Sequence, residues 1–309
     1  MTIRKIGMFL SGLLLCVCSV ARAAPPPDYV FTTVDVPGAQ VTVVEGINDV
    51  GHVVGTSRID IFDLESSGFL LADGVFSPIS VPGARSTTPQ GINNDGSIVG
   101  SVSSAGGQKG FLFEDGAFTV FDVPLSTGVC LTSAYTINNN GQIVGEYLDH
   151  CDVGNRQHGF LFDDGEFTSI DFPGAHGTVA NGINDRGHIV GFFYGDTPET
   201  AEPRGFVKKG RSFRAIDARF VGTYNTVVNG INNDGDMVGT FSSTVLGFGS
   251  FVYVNGKFIE LEVPFPSAFI TVALAINKRG QIAGFYSDSK GTHGFIATPP
   301  VKHRTPGVN

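Results

Sequence analysis

Short runs rich in aliphatic, aromatic and β-branched residues alternate with polar, glycine-bearing turns along almost the whole chain. Residues 86–124 show the unit, with STTPQGI, SIVGSVS, KGFLFED and AFTVFDVP in succession. Runs of this length bounded by turn residues predict strands, so the segment predicts four strands joined by hairpins. Its first turn lies inside GINNDGSIVG (Gly91–Gly100). Five near-copies occur: GINDVGHVVG from Gly46, TINNNGQIVG from Thr136, GINDRGHIVG from Gly182, GINNDGDMVG from Gly230 and AINKRGQIAG from Ala275. The spacings are 45, 45, 46, 48 and 45 residues. Four strands in a period of this size predict the blades of a β-propeller.

The first turn of each unit is Asn-Xaa-Xaa-Gly, beginning at Asn48, Asn93, Asn138, Asn184, Asn232 and Asn277. Asn can hold a turn through its side chain, and Gly takes the positive φ that closes a tight hairpin, so the motif reads as scaffold. Its other reading is a calcium loop, which needs several oxygen ligands at fixed spacing. The turns lack that spacing, and Lys278 and Arg279 fill the middle of the last one. No metal and no cofactor is expected. A second hairpin turn follows the third strand in five units: ADG at 72–74, EDG at 114–116, DDG at 163–165, KKG at 208–210 and VNG at 254–256. The sixth unit stops after its third strand, GFIATPP from Gly294, whereas YVFTTVDVPGA from Tyr29 is a fourth strand without a unit. Pairing the two completes a sixth blade and removes the exposed edges of an open array. A β-solenoid would not need a chain permuted by one strand. The expectation is an all-β, six-bladed β-propeller with four-stranded blades near 41–85, 86–130, 131–176, 177–222, 223–267, and 268–298 joined to the N-terminal strand 29–40.

GINNNGxIVG followed by HGFLFDDGEF resembles the HAF-type extracellular repeat of bacteria. The name-giving His-Ala-Phe stands here as His158-Gly159-Phe160 and His293-Gly294-Phe295, with Ser67, Lys109, Arg204 or Gly249 at the His position of the other units. The resemblance covers all six units. It implies an exported bacterial repeat protein with no established reaction. The ending VKHRTPGVN does not resemble the C-terminal sorting tail of some members.

The first residues agree with export. Arg4 and Lys5 precede an apolar run, Ile6 to Val20, and an Ala-Arg-Ala site at Ala21 to Ala23. This is the pattern of a cleaved secretory signal, and the run is shorter than the roughly 20 residues a spanning helix needs. Cleavage there removes three basic residues and no acidic one, moving the formal charge from −9 to −12. A basic footprint for nucleic acid is missing. Residues 24–298 are expected to form one domain and 299–309 a flexible tail, in a periplasmic or extracellular monomer without a transmembrane segment. Cys130 and Cys151 remain after the signal leaves, and an oxidising compartment lets a pair form. If Asn140 and Gly141 are the central residues of a two-residue hairpin, opposed residue numbers sum to 281, as 130 and 151 do. A Cys130–Cys151 disulfide is therefore expected.

Loop lengths distinguish two faces. The first turn never changes length, whereas the connection from second to third strand spans 13 positions from Gly55 to Gly68, 10 from Gly100 to Gly110 and 14 from Gly145 to Gly159. Function tends to sit on variable loops of a rigid scaffold, so binding is expected on that face. Its loops gather Tyr147, Asp149 and His158; Tyr194 and Asp196; and Tyr286, Asp288 and His293, with Tyr-x-Asp recurring in each group. Such groups can stack on and hydrogen-bond a sugar or peptide, or simply cap strand ends in water. The second candidate is the residue before each GIN equivalent: Glu45, Gln90, Tyr135, Asn181, Asn229 and Leu274. If the first strand lines the axis, these ring a channel that holds water or a ligand. No Gly-x-Ser-x-Gly, His-Glu-x-x-His or phosphate loop occurs, so no catalytic residue is assigned. The reading is an exported non-catalytic propeller that binds a glycan polymer or an extracytoplasmic protein through the variable face. The alternatives are a secreted propeller hydrolase or lyase, and a structural envelope protein.

Overall fold

The computed structural model describes residues 29–63, 65–104, 106–126, 128–149, 156–195 and 202–300. These contain 24 strands in six antiparallel groups of four. First strands are Val41–Ile47, Ser86–Ile92, Leu131–Ile137, Thr178–Ile183, Thr223–Ile231 and Ile270–Ile276, numbered here as units 1 to 6. Second strands are Val53–Arg58, Ile98–Ser104, Ile143–Asp149, Ile189–Phe193, Met237–Ser243 and Ile282–Asp288. Third strands are Ser67–Ala72, Gly107–Glu114, Arg156–Asp163, Arg204–Lys209, Gly247–Val254 and Gly291–Thr298. Fourth strands are Val75–Ile79, Ala117–Phe121, Glu166–Ile170, Ser212–Ile216, Lys257–Leu261 and, for unit 6, Val30–Val34 from the other end of the chain. That strand runs antiparallel to Gly291–Thr298, with Val30 opposite Thr298 and Val34 opposite Gly294. Single parallel bridges, Gln108 to Leu131 and Thr292 to Val41, join units 2 and 3 and units 6 and 1 into eight-stranded sheets, so the units form four sheets.

Each first strand packs against the second and third strands of the preceding unit, and unit 1 packs on unit 6 in the same way. The core is correspondingly divided into six clusters, one between each pair of neighbours. One phenylalanine anchors each cluster: Phe69, Phe111, Phe160, Phe206, Phe251 and Phe295, all buried. Five of them follow the glycine of the His-Gly-Phe position, where the third strand must lie close to its neighbours, and Phe251 follows Ser250. A Cβ on Gly110 would meet the Phe121 ring at 2.7 Å.

The Asn-x-x-Gly turns do more than close hairpins. In unit 3, Asn138 Oδ1 accepts the backbone N–H groups of Asn140 and Gln142, both at 3.0 Å, and Gly141 takes φ 78°. Asn138 Nδ2 then donates to the carbonyl of Asn184 in the next unit at 3.0 Å. The same amide bridge runs from Asn48 to Asn93, Asn93 to Asn138, Asn184 to Asn232, Asn232 to Asn277 and Asn277 back to Asn48. Six side chains thus link six turns in a closed cycle, and all six are buried.

The turn geometry corrects one expectation. Asn138 pairs with Gln142 around a three-residue loop, and the register shifts again between Ala134 and Thr136. Leu131 therefore lies opposite Leu148, and the Cys130 N–H donates to the Leu148 carbonyl at 3.1 Å. Continuing that register sets Cys130 against Asp149, so the direct Cys130–Cys151 opposition inferred from a two-residue turn does not hold. Cys151 lies outside the described residues. The second hairpin turns of units 1, 2, 3 and 5 have positive φ at Asp73, Asp115, Asp164 and Asn255 and at the following glycine, as a type I′ turn requires. In unit 4 the pairing of Lys209 with Ser212 moves Gly210 to the first central position, because lysine tolerates positive φ poorly.

Asn184→Ala removes the acceptor for the Arg186 and His188 N–H groups and the bridge to Asn232. Chemical denaturation should show a loss of about 2–4 kcal/mol, since buried partners are left unpaired. Asn140→Ala, which removes one solvent-exposed hydrogen bond to the Asp185 carbonyl at 2.8 Å and leaves no buried group unpaired, should cost about 1 kcal/mol or less.

Candidate functional site

A β-bulge interrupts each first strand just before its turn. The register shifts bracket Glu45, Gln90, Tyr135, Asn181, Asn229 and Leu274, the six residues expected to ring the axis. A bulged residue is unpaired and its side chain is re-aimed, which turns these six toward the centre. The second-strand glycine of each IVG makes room. A Cβ on Gly55, Gly100, Gly145, Gly191, Gly239 or Gly284 would fall 1.9–2.0 Å from a first-strand carbonyl. All six bulge residues line one cavity of about 340 Å³, together with Phe192 and the residues of the first turns.

The polar groups of this cavity divide into tied and untied. Asn181 Nδ2 donates to the Val228 carbonyl at 3.1 Å and Asn229 Nδ2 to the Ala273 carbonyl at 2.8 Å, each in the next unit. Tyr135 Oη donates to Glu146 Oε1 at 2.5 Å, and Gln157 Nε2 donates to the other oxygen of Glu146. Burial holds the Tyr135 phenol well above its ordinary range, with the Glu146 carboxylate adding to the effect. Burial also raises the Glu146 carboxyl, against the opposing hydrogen bonds from Tyr135 and Gln157. Glu45 makes no hydrogen bond to a described side chain, and burial alone pushes its carboxyl up to about 7. Gln90 Oε1 is buried without a partner.

At the turn end the cavity meets a second ring that sequence reasoning missed: Asp49, Asn94, Asn139, Asp185, Asn233 and Lys278, the residues after the bridging asparagines. Backbone N–H groups of Asp49, Asn94, Asn139, Asp185 and Lys278 each donate at 2.9 Å to a side-chain oxygen of a neighbouring unit. Asp49 Oδ2 also takes Asn94 Nδ2 at 2.8 Å and Lys278 Nζ at 3.1 Å, while Asp185 Oδ2 takes Asn233 Nδ2 at 2.8 Å and Asn139 Nδ2 at 3.0 Å. Burial opposes ionisation of both carboxyls, but these donors outweigh it and hold both below their ordinary range. The available signal was Asn or Asp at this position in five of the six copies.

On the other face, the structure brings Tyr147, Asp149 and His158 together, and likewise Tyr286, Asp288 and His293, but it uses them internally. Tyr147 stacks on His158 with ring centroids 5.0 Å apart and shares a 2.6 Å hydrogen bond with Ser169. His158 lies between Asp171 at 2.7 Å and Asp149 at 3.5 Å. Tyr286 stacks on His293, and His293 lies between Asp35 at 3.0 Å and Asp288 at 3.3 Å. Both tyrosines and His158 are buried, so of the two readings these groups offered, their placement fits a clamp on the strand ends. Tyr194 is not equivalent to them. Counting from the IVG glycine, Phe193 fills the stacking position, with Arg204 over its ring at 5.7 Å and paired with Asp217. Tyr194 points to the opposite side, beside Phe192, where burial and then Glu146 raise its phenol. Asp196 lies outside the described residues.

Beside exposed polar groups such as Glu65 and Arg85, the variable face exposes apolar side chains. Tyr224 at the start of a first strand, Phe248 at the start of a third strand and Phe269 just before a first strand are 48%, 45% and 61% exposed. Val221 and Val245 join them where the Thr244 N–H donates to the Gly222 carbonyl at 3.0 Å. Ser250 Oγ ties the same third strand to Thr271 and Ala273 of unit 6, which carries the surface on to Phe269 and Ile270. In unit 1, Phe62 is 83% exposed in the loop between second and third strands. Among the described residues, no group of three or more His, Cys, Asp or Glu is placed to hold a metal, and no helix is long and apolar enough to cross a membrane.

No protein-family model matches the chain, and no curated protein matches it. Solved structures do. The chain is similar to the Aleuria aurantia lectin in complex with Fucα1-6GlcNAc, at 11% identity and TM-score 0.51, covering 90% of this chain and 100% of the lectin. The same lectin in complex with α-methyl-L-fucoside gives 10% identity and TM-score 0.50 over 87% of this chain and 97% of the lectin. A candidate gluconolactonase gives 12% identity and TM-score 0.51 over 89% of this chain and 93% of its own. At these identities the likeness shows the fold, a β-propeller.

Glu45 makes stability depend on pH. Its carboxyl ionises near 4.5 in the unfolded chain and near 7 in the fold, so the fold retains an extra proton between those values. The stability it contributes is full below pH 4.5 and is lost as pH rises through 7, by up to about 3 kcal/mol. Urea denaturation should find Glu45→Gln close to the wild type at pH 4.5 and more stable than it at pH 8. Parallel stability curves for the two proteins would refute this role of Glu45.

Proposed function

We propose that the protein is an exported, closed six-bladed β-propeller of the HAF-repeat type that binds a glycan through its variable-loop face, without catalysis. The observation that carries this reading is the contrast between the two faces. The turn face has its polar groups tied in two hydrogen-bonded rings. The loop face instead leaves the rings of Tyr224 and Phe269 exposed. Exposed aromatic surface rimmed by polar loops marks interaction sites, and an aromatic ring can pack on the C–H face of a sugar. The fold is also one on which the Aleuria aurantia lectin holds Fucα1-6GlcNAc, although fold alone does not assign a ligand.

The closed cycle of asparagine bridges and the packing of unit 1 on unit 6 support six blades. The basic, apolar and Ala-Arg-Ala pattern of residues 1–23 supports export. In an oxidising compartment we propose that Cys130 and Cys151 form a disulfide. Thiol titration of the denatured exported protein checks this. Thiols that appear only after reduction fit a disulfide, and thiols free from the start contradict it.

A glycan array followed by calorimetry tests the binding reading. Tyr224→Ala and Phe269→Ala together should weaken the best glycan at least tenfold, about 1.4 kcal/mol, while Asn140→Ala leaves it unchanged. Equal binding by the double variant, or no glycan bound at all, would overturn the proposal. Shortened products from a bound glycan would favour the hydrolase or lyase reading.

A further inference from the structure

We propose that the axial cavity is a separate binding site for a small organic ammonium ion, recognised by Glu45 and Gln90. The cavity lies away from the aromatic surface of the loop face, between the bulge residues and the turn ring. At about 340 Å³ it falls in the range of pockets for small organic molecules and is far larger than a bare ion needs.

The chemistry follows from which donors are already committed. Asn181 and Asn229 turn their amide N–H groups outward to backbone carbonyls, and Tyr135 gives its proton to Glu146. Two acceptors facing the cavity are left without a partner among the described residues, the Glu45 carboxylate and the buried Gln90 Oε1; the Gln90 amide N–H group is also unbonded, but it carries no charge to balance Glu45. They come from neighbouring bulges that sit close together, since a Cβ on Gly46 would touch the Gln90 carbonyl at 2.5 Å. A buried acceptor without a donor is costly and a buried anion more so. One ligand carrying both positive charge and N–H donors relieves the two together.

No protein cation does this. Lys278, the lysine lining the cavity, is bonded to Asp49 at 3.1 Å. The raised Glu45 carboxyl fits the same picture, because burial is its sole cause and no nearby cation opposes it. Leu274 borders Glu45 from unit 6 and Phe192 lines the wall from unit 4, which supplies apolar surface for the carbon part of the ligand. A metal is the poorer fit, since among the described residues Glu45 belongs to no group of three or more His, Cys, Asp or Glu placed to hold one.

The test is calorimetric titration of the purified protein at pH 8 with n-butylammonium chloride and butane-1,4-diammonium chloride. Sodium chloride at matched ionic strength, n-butanol and calcium chloride serve as controls. We expect saturable binding of at least one ammonium salt and none of n-butanol. Glu45→Gln should weaken that binding tenfold or more, Gln90→Leu should weaken it severalfold, and Phe269→Ala should leave it unchanged. The Gln90 variant keeps the proposal testable if Glu45→Gln does not fold, and the Phe269 variant separates this site from the glycan surface. The proposal is overturned by absence of saturable ammonium binding, by binding that neither cavity variant weakens, or by calcium binding that depends on Glu45 while the ammonium salts give none.

Discussion

The asparagine at the start of each first turn serves two units at once. Its Oδ1 collects backbone N–H groups of its own hairpin, and its Nδ2 reaches the equivalent carbonyl one unit on. Neither half is replaceable by a residue that only favours turns. Aspartate would close the hairpin but has no N–H to pass forward, and serine would not span the gap. Since every bridge lands on the residue that makes the next, the six bonds form a cycle, and the seam between Asn277 and Asn48 is bonded like any other. The strand Val30–Val34 completes the outside of that seam, so both ends of the chain are tied into one unit.

This constraint sets what each face can do. At the turn end, a cycle of buried amides backed by the Asp49 to Lys278 ring leaves little freedom for length change, which matches the invariance of the loop there. At the other end, the clamps of Tyr147 with His158 and Tyr286 with His293 hold strand ends, and the connections beyond them vary. Along the axis, the bulge that lets the first strand approach its turn also points one side chain per unit inward. Scaffold and cavity therefore have one cause: the chain cannot form the inner strand without building the polar ring.

Much of this was legible in the sequence because the repeat is covalent and periodic. The strands, the Asn-x-x-Gly turn and the missing fourth strand of the last unit follow from spacing alone. The axial positions were legible as a column of residues before GIN, but not the bulge that aims them, whose mark is the glycine of IVG. The cysteine register failed because the turn has three loop residues and the bulge takes one more, two steps that a two-residue hairpin does not contain. Tyr194 was grouped with Tyr147 by a local motif, whereas counting from the IVG glycine puts Phe193 in that place. The buried role of Tyr147 and His158 was hidden because their partner, Asp171, lies on the fourth strand and meets them only through the sheet. The pairs His158–Asp171, Arg204–Asp217, Lys109–Asp122 and His293–Asp35 share one position, and its trace was the Asp that follows each of those fourth strands.

Closure of the cycle is most directly measured by hydrogen exchange at the asparagine side-chain amides, followed by NMR. A closed cycle predicts that the Nδ2 groups of Asn48, Asn93, Asn138, Asn184, Asn232 and Asn277 exchange slowly and at similar rates, with that of exposed Asn255 fast by comparison. Fast exchange confined to Asn277, with the other five protected, would show that the seam is open and would contradict the account.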